Sequence, residues 1–583
     1  MYTQNSLLKN HWKIKNYDER ESLLISQRFN ISPMIAKLLN IKNINLDEID
    51  QFLNPNLKES LPDPYKLKDM KKSVNRIIKS INNDEIIGII ADYDVDGATS
   101  AAIICKFFQS INQKYILKIP SRLKDGYGPN EEILNELKKK KIDLLLTLDC
   151  GTNSQGIIDK KKYLDFDTIV IDHHISENTL PETFSIINPN RYDENNIYKD
   201  LAAVGVTFLF ILAMRKELRN NNFFDKKKIN EPNLLNYLDL VALGTVCDVV
   251  NLSQYNRMFV IKGIEIIHKR KNEGIKTIID NSKINHPPTV TDLSFIIGPQ
   301  LNSASRVDDS TLSSKLLISN DIIEIESISR KLFIFNEKRK LIEKQIYEEA
   351  LKQINNQKNN NIIIVKGKGW HKGVLGIVAS RLVEKFNKPS IVFSFDEYYG
   401  TGSARSIDFI DLGNIILKAK NKGFLLDGGG HKMAAGLKIS ITKYDDFLDY
   451  IINIFKNYDS INFKKIIHFD SLLTLDEINE NLLNNIEQLE PFGSSNPEPK
   501  FIIKNVSINF AKIIKEKHIL FNIIKDSDNS LKAICFNCVD NELGQNLLNH
   551  QSFKFDLACT IKRDIYQGKI KPQIIIYDAI KVY

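Results

Sequence analysis

The stretch IIGIIADYDVDG (residues 86–97) decides the fold: an apolar run, Ile86–Ile90, passes through Ala91 into aspartates at alternate positions, Asp92, Asp94 and Asp96, and closes on Gly97. Two later segments repeat the form. Asp143–Leu148 runs into Asp149-Cys150-Gly151, and Thr168–Ile171 into Asp172-His173-His174; a further apolar stretch, Leu240–Val246, ends near Asp248. Short runs rich in Ile, Leu and Val, separated by helical patterns, predict a parallel sheet with crossover helices, an α/β fold. Neighbouring strands of such a sheet present their carboxyl ends at one edge, where ligands bind. The four segments are therefore expected to bring Asp92, Asp94, Asp96, Asp149, His173, His174 and Asp248 into one crevice.

So many carboxylates repel one another and raise one another's pKa, and divalent cations resolve that conflict. Oxygen donors with one or two imidazoles point to Mn²⁺ or Mg²⁺, with histidine favouring Mn²⁺. Alone, a DxDxDG reads as a calcium loop or a surface turn, and a DHH as a helix cap. Four such segments in order, each ending an apolar run, read as a metal site. Two cations suit phosphoryl transfer. The Gly-rich loop and lysine of a nucleotide triphosphatase are missing from the sequence, so ester hydrolysis is expected in place of ATP hydrolysis.

The 583 residues imply three or four domains, and 43% hydrophobic with 26% charged residues is the balance of an ordinary globular protein. An excess of 80 basic over 72 acidic residues, a net +8, is compatible with nucleic acid without establishing it. The cysteines show no disulfide framework, and the opening MYTQNSLLKNHWKIK has no apolar core of a signal peptide. With no run of membrane-spanning length, a cytoplasmic protein with no membrane partner is expected. Cys535 and Cys538 form a lone CxxC in the apolar run Leu531–Val539; read as a strand, that run puts them on opposite faces, as buried thiols and not zinc ligands.

Along the chain, residues 1–70 form an N-terminal helical segment. Residues 71–310 carry the acidic motifs, and 311–358 a connecting helix whose periodic part covers roughly 321–357. Residues 359–457 form a second α/β domain with two Gly-rich turns, and 458–583 alternate short β-rich runs with turns in the manner of a small barrel.

DYDVDGATS (92–100), LDCGTN (148–153), IDHH (171–174) and LVALGTVCDVV (240–250) resemble the four motifs of the DHH phosphoesterase superfamily. SRLKDGYG (121–128), IGPQLNSASRVDD (297–309), GWHKGVLGIVASRL (369–382), GTGSARSI (400–407), DGGGHKMAAG (427–436) and LEPFGSSNPEPKF (489–501) resemble its RecJ family, in the same order from about residue 80 to the C-terminus. The resemblance implies a DHH catalytic domain, a long connecting helix, a DHH-associated domain and a C-terminal OB-fold. It also implies a two-metal exonuclease that hydrolyses single-stranded DNA from the 5′ end to 5′-mononucleotides, in recombination and repair.

By resemblance, one cation falls to Asp92, Asp94 and Asp149, and the second to Asp96, Asp149, His173 and Asp248, with Asp149 bridging. His174 is expected at the scissile phosphate and Asp172 behind an imidazole, orienting it. Arg306, Ser403 and Arg405 match residues that hold a 5′-terminal phosphate. Arg122, Tyr127, Asn302 and His431 match positions along the DNA channel, where Tyr127 could stack on a base. Gly428, Gly429 and Gly430 would admit a ligand close to the backbone, while Gly128 and Gly436 read as turn residues. Phe492, Phe501 and Tyr566 are candidate stackers of the barrel, each equally a core residue, and Lys562-Arg563 is a basic doublet at an expected hairpin. Gln300, Ser303 and Ser305 stand where the family has Arg, Ala and Gly, and Asn251 where it has Pro; loss of the arginine at 300 would weaken a backbone contact. A single-strand-binding protein and a helicase are the partners that the family suggests, with a monomer as the default state. The rival readings are a DHH enzyme for short or cyclic oligonucleotides and a non-catalytic single-strand-binding scaffold.

Overall fold

The computed structural model describes the chain except residues 1–4, 160–164, 196, 356–359, 459–462, 464, 525–529, 567–568 and 583. It divides into two compact units, one of residues 56–455 with 493–495, the other of residues 1–55, 456–492 and 496–583.

The first unit opens on a five-stranded, wholly parallel sheet made of β1 (Ile87–Ala91), β2 (Tyr115–Lys118), β3 (Leu144–Leu148), β4 (Asp167–Ile171) and β5 (Ser185–Ile187), in the order β2-β1-β3-β4-β5. Every residue of β1 and β3 is buried, which is why these strands are continuous apolar runs with no alternation. The edge strands β2 and β5 have four and three residues and no comparable signature. Helix α1 (Val95–Ser110) starts directly after the aspartates, and Ala101, Ala102, Ile103, Ile104, Phe107 and Phe108 sink into the core. Two further helices, α2 (Ala203–Asn220) and α3 (Leu238–Cys247), pack against it. Here one expectation fails: the run Leu240–Val246 is helix and not a strand. It is buried on all sides, so its sequence carries no period to separate the two.

Helix α4 (Gly298–Val307) precedes α5 (Ile322–Asn355), a 34-residue helix about 51 Å long at 1.5 Å per residue. A polar stripe is buried along α5: Arg339 bonds Asn336 Oδ1 (3.1 Å) and Glu343 (2.6 Å), and Glu343 also meets Arg381 at 2.6 Å. Arg381 belongs to α6 (Leu375–Phe386). The associated sheet comprises β6 (Ile363–Lys368), β7 (Ser390–Phe395), β8 (Tyr399–Arg405), β9 (Asp427–His431) and β10 (Ala434–Ser440), ordered β9-β10-β8-β7-β6. Only β6 and β7 run parallel. Both Gly-rich segments, expected as turns, are strands β8 and β9, and Gly436 lies within β10.

In the second unit, β11 (Phe501–Ile514), β12 (His518–Ile524), β13 (Ser530–Cys535), β14 (Lys554–Tyr566) and β15 (Lys569–Val582) follow the order β11-β12-β13-β15-β14. Pairing of β14 with β11 closes a five-stranded barrel. The N-terminal segment is not only helical: His11–Ile14 pairs in parallel with Ile466–Phe469, and Trp12 Nε1 donates to buried Asp578 at 3.1 Å. Phe501 is fully buried in the barrel core and so has no free face to stack on a base, while Phe492 is half-buried against the same core and the N-terminal helices. The side chain of Tyr566 lies outside the described residues. Lys562 and Arg563 pair with Glu498 (3.6 Å) and Glu487 (2.6 Å). Strand β13 stops at Cys535, so the CxxC does not straddle a strand; Cys538 Sγ donates to the Cys535 carbonyl at 3.2 Å, and both thiols are buried.

The turn from β1 into α1 is tight enough to exclude a side chain. A Cβ on Gly97 would stand 2.3 Å from the carbonyl oxygen of Asp92. Gly97→Ala is expected to destabilise the chain by roughly 1–3 kcal/mol in urea unfolding, the usual range for overpacking. Gly429→Ala, where a Cβ meets nothing within 4 Å, leaves the midpoint in place. An unshifted midpoint for Gly97→Ala would sink this account of the turn.

Candidate active site

The carboxyl ends of β1, β3 and β4 deliver Asp92, Asp149 and Asp172 as the first residues past each strand. Asp94 caps α1, accepting from the amides of Asp96 (2.9 Å) and Gly97 (3.1 Å). Asp96, in the first turn of the helix, accepts from the amides of Ala203 (2.7 Å) and Val204 (2.9 Å), so the N-terminus of α2 carries part of its charge. Asp248 follows the last residue of α3.

Asp92, Asp94 and Asp149 each present an oxygen within 4.8 Å of the others, and Asp96, His173 and Asp248 form a second such group. His173 Nε2 lies 3.4 Å from Asp149, 3.5 Å from Asp248 and 3.8 Å from Asp96, so Asp149 touches both groups. Among the described residues, Asp92 Oδ1, Asp149 Oδ1 and His173 Nε2 are buried with no hydrogen-bond partner. Buried polar atoms are almost always satisfied. Unpartnered acceptors converging from three loops, mostly oxygens with one imidazole, fit a pair of hard divalent cations.

The electrostatics agree. Burial, then the neighbouring aspartates, pushes Asp92 and Asp149 well above the ordinary carboxylate range, Asp96 to about 7 and Asp248 to about 9. Burial and the charge of His174 hold His173 down at about 4, as suits a neutral ligand. Asp172 behaves oppositely. Burial works to raise its pKa, but His174 and hydrogen bonds overcome that and keep it below the usual range. It accepts from the amides of Thr152 (3.0 Å) and His173 (2.7 Å) and from His174 Nδ1 (2.8 Å). Burial in turn opposes a charge on His174, and Asp172 reverses this, lifting it to about 9.

Sequence reasoning missed Asn188 and Asn190, whose amide groups donate to the carbonyls of His174 (2.8 Å) and His173 (2.7 Å) and fix the histidine loop. They follow β5, a strand too short to announce itself. His173, His174, Asn190, Lys199 and His431 line an open pocket of about 280 Å³.

A second, cationic cluster lies in the same unit. Arg405 Nη1 bonds Ser403 Oγ (3.3 Å) and the Ala404 carbonyl (2.8 Å), and Arg306 bonds the carbonyl of Gly373 (3.0 Å). Burial, then Arg122, Arg339 and Arg405, drives Arg306 down to about 9; burial, then Arg122, lowers Arg405. Guanidinium groups forced together define an anion site. The first turn of α6 approaches it, since a Cβ on Gly376 would stand 2.8 Å from Arg405 Nη2 and 3.0 Å from Ser403 Oγ. That helix N-terminus, also missed, is a favourable place for phosphate. Asn302 sits one helical turn before Arg306 on α4, its Oδ1 buried without a partner among the described residues.

Arg122 lies 5.0 Å over the ring of Tyr93, which stands between Asp92 and Asp94 in the first motif. Tyr127 Oη reaches the Asp149 carbonyl (3.0 Å) and His174 Nδ1 (3.1 Å). Of the three glycines, only Gly429 faces open space. Gly428 and Gly430 abut Ile416 and Ala434–Ala435, so their bareness serves packing. Gly128 has φ of +78° in its loop, as a turn residue would. Gln300 is buried and donates to Ser282 Oγ at 2.6 Å, so position 300 of this chain faces protein and not the crevice; Ser303 and Ser305 are buried too. Asn251 bonds Asp200 and accepts from Ser495 at 2.5 Å, a contact that proline could not make.

The chain matches the DHH family, N-terminal domain, over residues 86–245, the DHHA1 domain over 359–457 and the RecJ OB domain over 469–578. It is 34% identical over 466 residues to the single-stranded-DNA-specific exonuclease RecJ of Escherichia coli, covering 77% of this chain and 80% of that one. To the protein of the same description from Haemophilus influenzae it is 31% identical over 579 residues, 97% of this chain and 99% of the other. The crystal structure of RecJ from Thermus thermophilus in complex with Mn²⁺ superposes with a TM-score of 0.81 at 22% identity, over 98% of this chain and 80% of that one, and shares its fold.

Asp248 and His174 hold folded-state values of about 9, above their ordinary values of about 4 and 6.5. Each binds its proton more tightly in the folded chain, so the stability conferred by that proton is lost as pH rises towards 9. His173, held low, acts the other way but is spent by about pH 6.5. Protein treated with a chelator is thus expected to melt at progressively lower temperature from about pH 7 to about 9, and saturating Mn²⁺ to remove that slope. Melting curves across this range, with and without the cation, check it; identical slopes would refute the cluster's role.

Proposed function

We propose, from the premise that this chain belongs to the RecJ family of single-stranded-DNA-specific exonucleases, that it removes 5′-mononucleotides in succession from the 5′ end of single-stranded DNA, using two divalent cations. The chain is a hydrolase of the DHH phosphoesterase type. The observation that carries the finer reading is Asp149, whose carboxylate belongs to one acidic group and lies 3.4 Å from the imidazole of the other.

Asp92, Asp94 and Asp149 would hold one cation, and Asp96, Asp149, His173 and Asp248 the second, Mn²⁺ or Mg²⁺ by the donor set. The cations supply Lewis-acid stabilisation of charge on the phosphoryl oxygens. Arg306, Ser403, Arg405 and the first turn of α6 grip the 5′-terminal phosphate and so choose the end of the strand. Arg122, Asn302, Gly429 and His431 line the path of the strand. Water attacks the next phosphorus, the bond to the 3′ oxygen breaks, and that oxygen takes the proton. The released nucleotide keeps its 5′ phosphate, and the shortened strand again begins with one. His174, kept protonated by Asp172, places a donor beside the phosphate where charge develops. Among the described residues no helix is long and apolar enough to cross a membrane. A monomer working in recombination and repair in the cytoplasm, on single strands delivered by a helicase or coated by a single-strand-binding protein, is the setting this reading implies.

Oligonucleotides labelled at either end, single-stranded and duplex, test it with Mn²⁺ beside an Asp149→Ala control. Immediate release of labelled 5′-mononucleotide, progressive shortening of the 3′-labelled strand, intact blunt duplex and an inert control are expected. Shortening from the 3′ end, cleavage of dinucleotides alone, or binding without cleavage would each replace this reading by a rival. Arg405→Gln is expected to raise KM for 5′-phosphorylated strands roughly tenfold or more, the loss of one hydrogen bond to a charged group, and to leave 5′-hydroxyl strands little changed. Equal effects on both would remove the phosphate grip.

A further inference from the structure

We infer that the hydroxyl of Tyr127 is a positioning group for His174, a role separate from any stacking by its ring; the inference rests on the hydrolytic reading of the acidic cluster. Tyr127 stands between Gly126 and Gly128, whose φ angles of +81° and +78° are left-handed. In this loop the residue is half exposed, at 51%, while its hydroxyl oxygen reaches inward. A residue that only stacked would need the ring, and its hydroxyl would be free to face water. Here the hydroxyl meets two atoms of the catalytic loops, the Asp149 carbonyl oxygen at 3.0 Å and His174 Nδ1 at 3.1 Å.

The donors can be assigned by elimination. A carbonyl oxygen only accepts, so the Tyr127 O–H donates to Asp149. The Asp172 carboxylate, 2.8 Å from His174 Nδ1, also accepts, so Nδ1 carries a hydrogen. The Tyr127 oxygen therefore offers its lone pair to that same N–H, which is shared between Asp172 and Tyr127. Two acceptors on one face fix the plane of the ring and leave Nε2 for the open pocket that His174 lines. A competitor is close: Asp149 Oδ1 lies 3.8 Å from Nδ1. Without the hydroxyl, the imidazole is free to swing towards that carboxylate and away from the pocket. The Tyr127 ring, edge-on at 68° with centroids 5.5 Å apart, sets the limit of that swing.

The test separates hydroxyl from ring. With 5′-phosphorylated single-stranded DNA and saturating Mn²⁺, Tyr127→Phe is expected to lower kcat roughly tenfold, the worth of one oriented hydrogen bond, with KM and Mn²⁺ affinity by calorimetry unchanged. Tyr127→Ala, lacking the ring, should raise KM as well. In a His174→Ala background Tyr127→Phe should cause no further loss, because a group acting through His174 has nothing left to position. A wild-type kcat for Tyr127→Phe, an equal loss in the His174→Ala background, or weakened Mn²⁺ binding would each overturn the role. A wild-type protein with no exonuclease activity would remove the hydrolytic reading and this inference together, whereas an active wild type with an unaffected Phe variant removes this inference alone.

Discussion

Mutual repulsion among the aspartates that follow β1, β3 and α3 is the constraint around which the rest of the first unit is arranged. Asp96, Asp149 and Asp248 sit around the imidazole of His173, Asp92 and Asp94 gather on the same Asp149, and most of their charge is out of water. The surrounding fold softens this at two points before any cation arrives. The amides opening α1 take one oxygen of Asp94, and those opening α2 take both oxygens of Asp96. What remains, on Asp92, Asp149 and His173, is left unpartnered, and such atoms are tolerated where a ligand completes them. The stiffness of a sheet buried on both faces holds them in that unfavourable posture.

The anionic and cationic clusters are complementary parts of one recognition problem. A single strand brings a regular line of phosphates, and a site that cuts one linkage while holding the terminal phosphate counts from the end of the chain. Under the proposed function, the buried arginines that depress one another's pKa, beside a glycine-opened helix N-terminus, would be the holding part. The ion pair between Arg381 and Glu343 ties α6 to α5, and Arg339 holds the same carboxylate within α5.

Much of this was legible in the sequence because the chemistry sits immediately after the strands that carry it. Asp92, Asp149 and Asp172 each follow an apolar run directly, so one reading located both the strand and its edge. The failures have definite causes. Leu240–Val246 is buried on every side and lost the period that marks a helix. GTGSAR and DGGGH are strands whose glycines look like turns until their partners are known. His11–Ile14 is a strand only because residues more than 450 positions away pair with it. At the site, the Tyr127 hydroxyl, Asn188 and Asn190, and the approach of Gly376 to Arg405 depend on distances between segments remote in sequence, and no local pattern encodes them. Phe501 was ambiguous for the opposite reason, since a barrel-lining aromatic and a stacking aromatic look alike until the barrel closes.

The long helix α5 has a consequence for how such chains can diverge. Its buried stripe, Asn336, Arg339 and Glu343, keeps to one face at spacings of three and four residues and meets Arg381 across the interface. Substitutions on the outer faces leave that alignment intact. A single inserted or deleted residue upstream of Asn336 would rotate the stripe by about 100° relative to the start of the helix and strand an ion pair in an apolar interface. Lineages descended from a common ancestor should therefore vary freely in the residues of this segment and hardly at all in its length, with changes in length confined to the loops on either side.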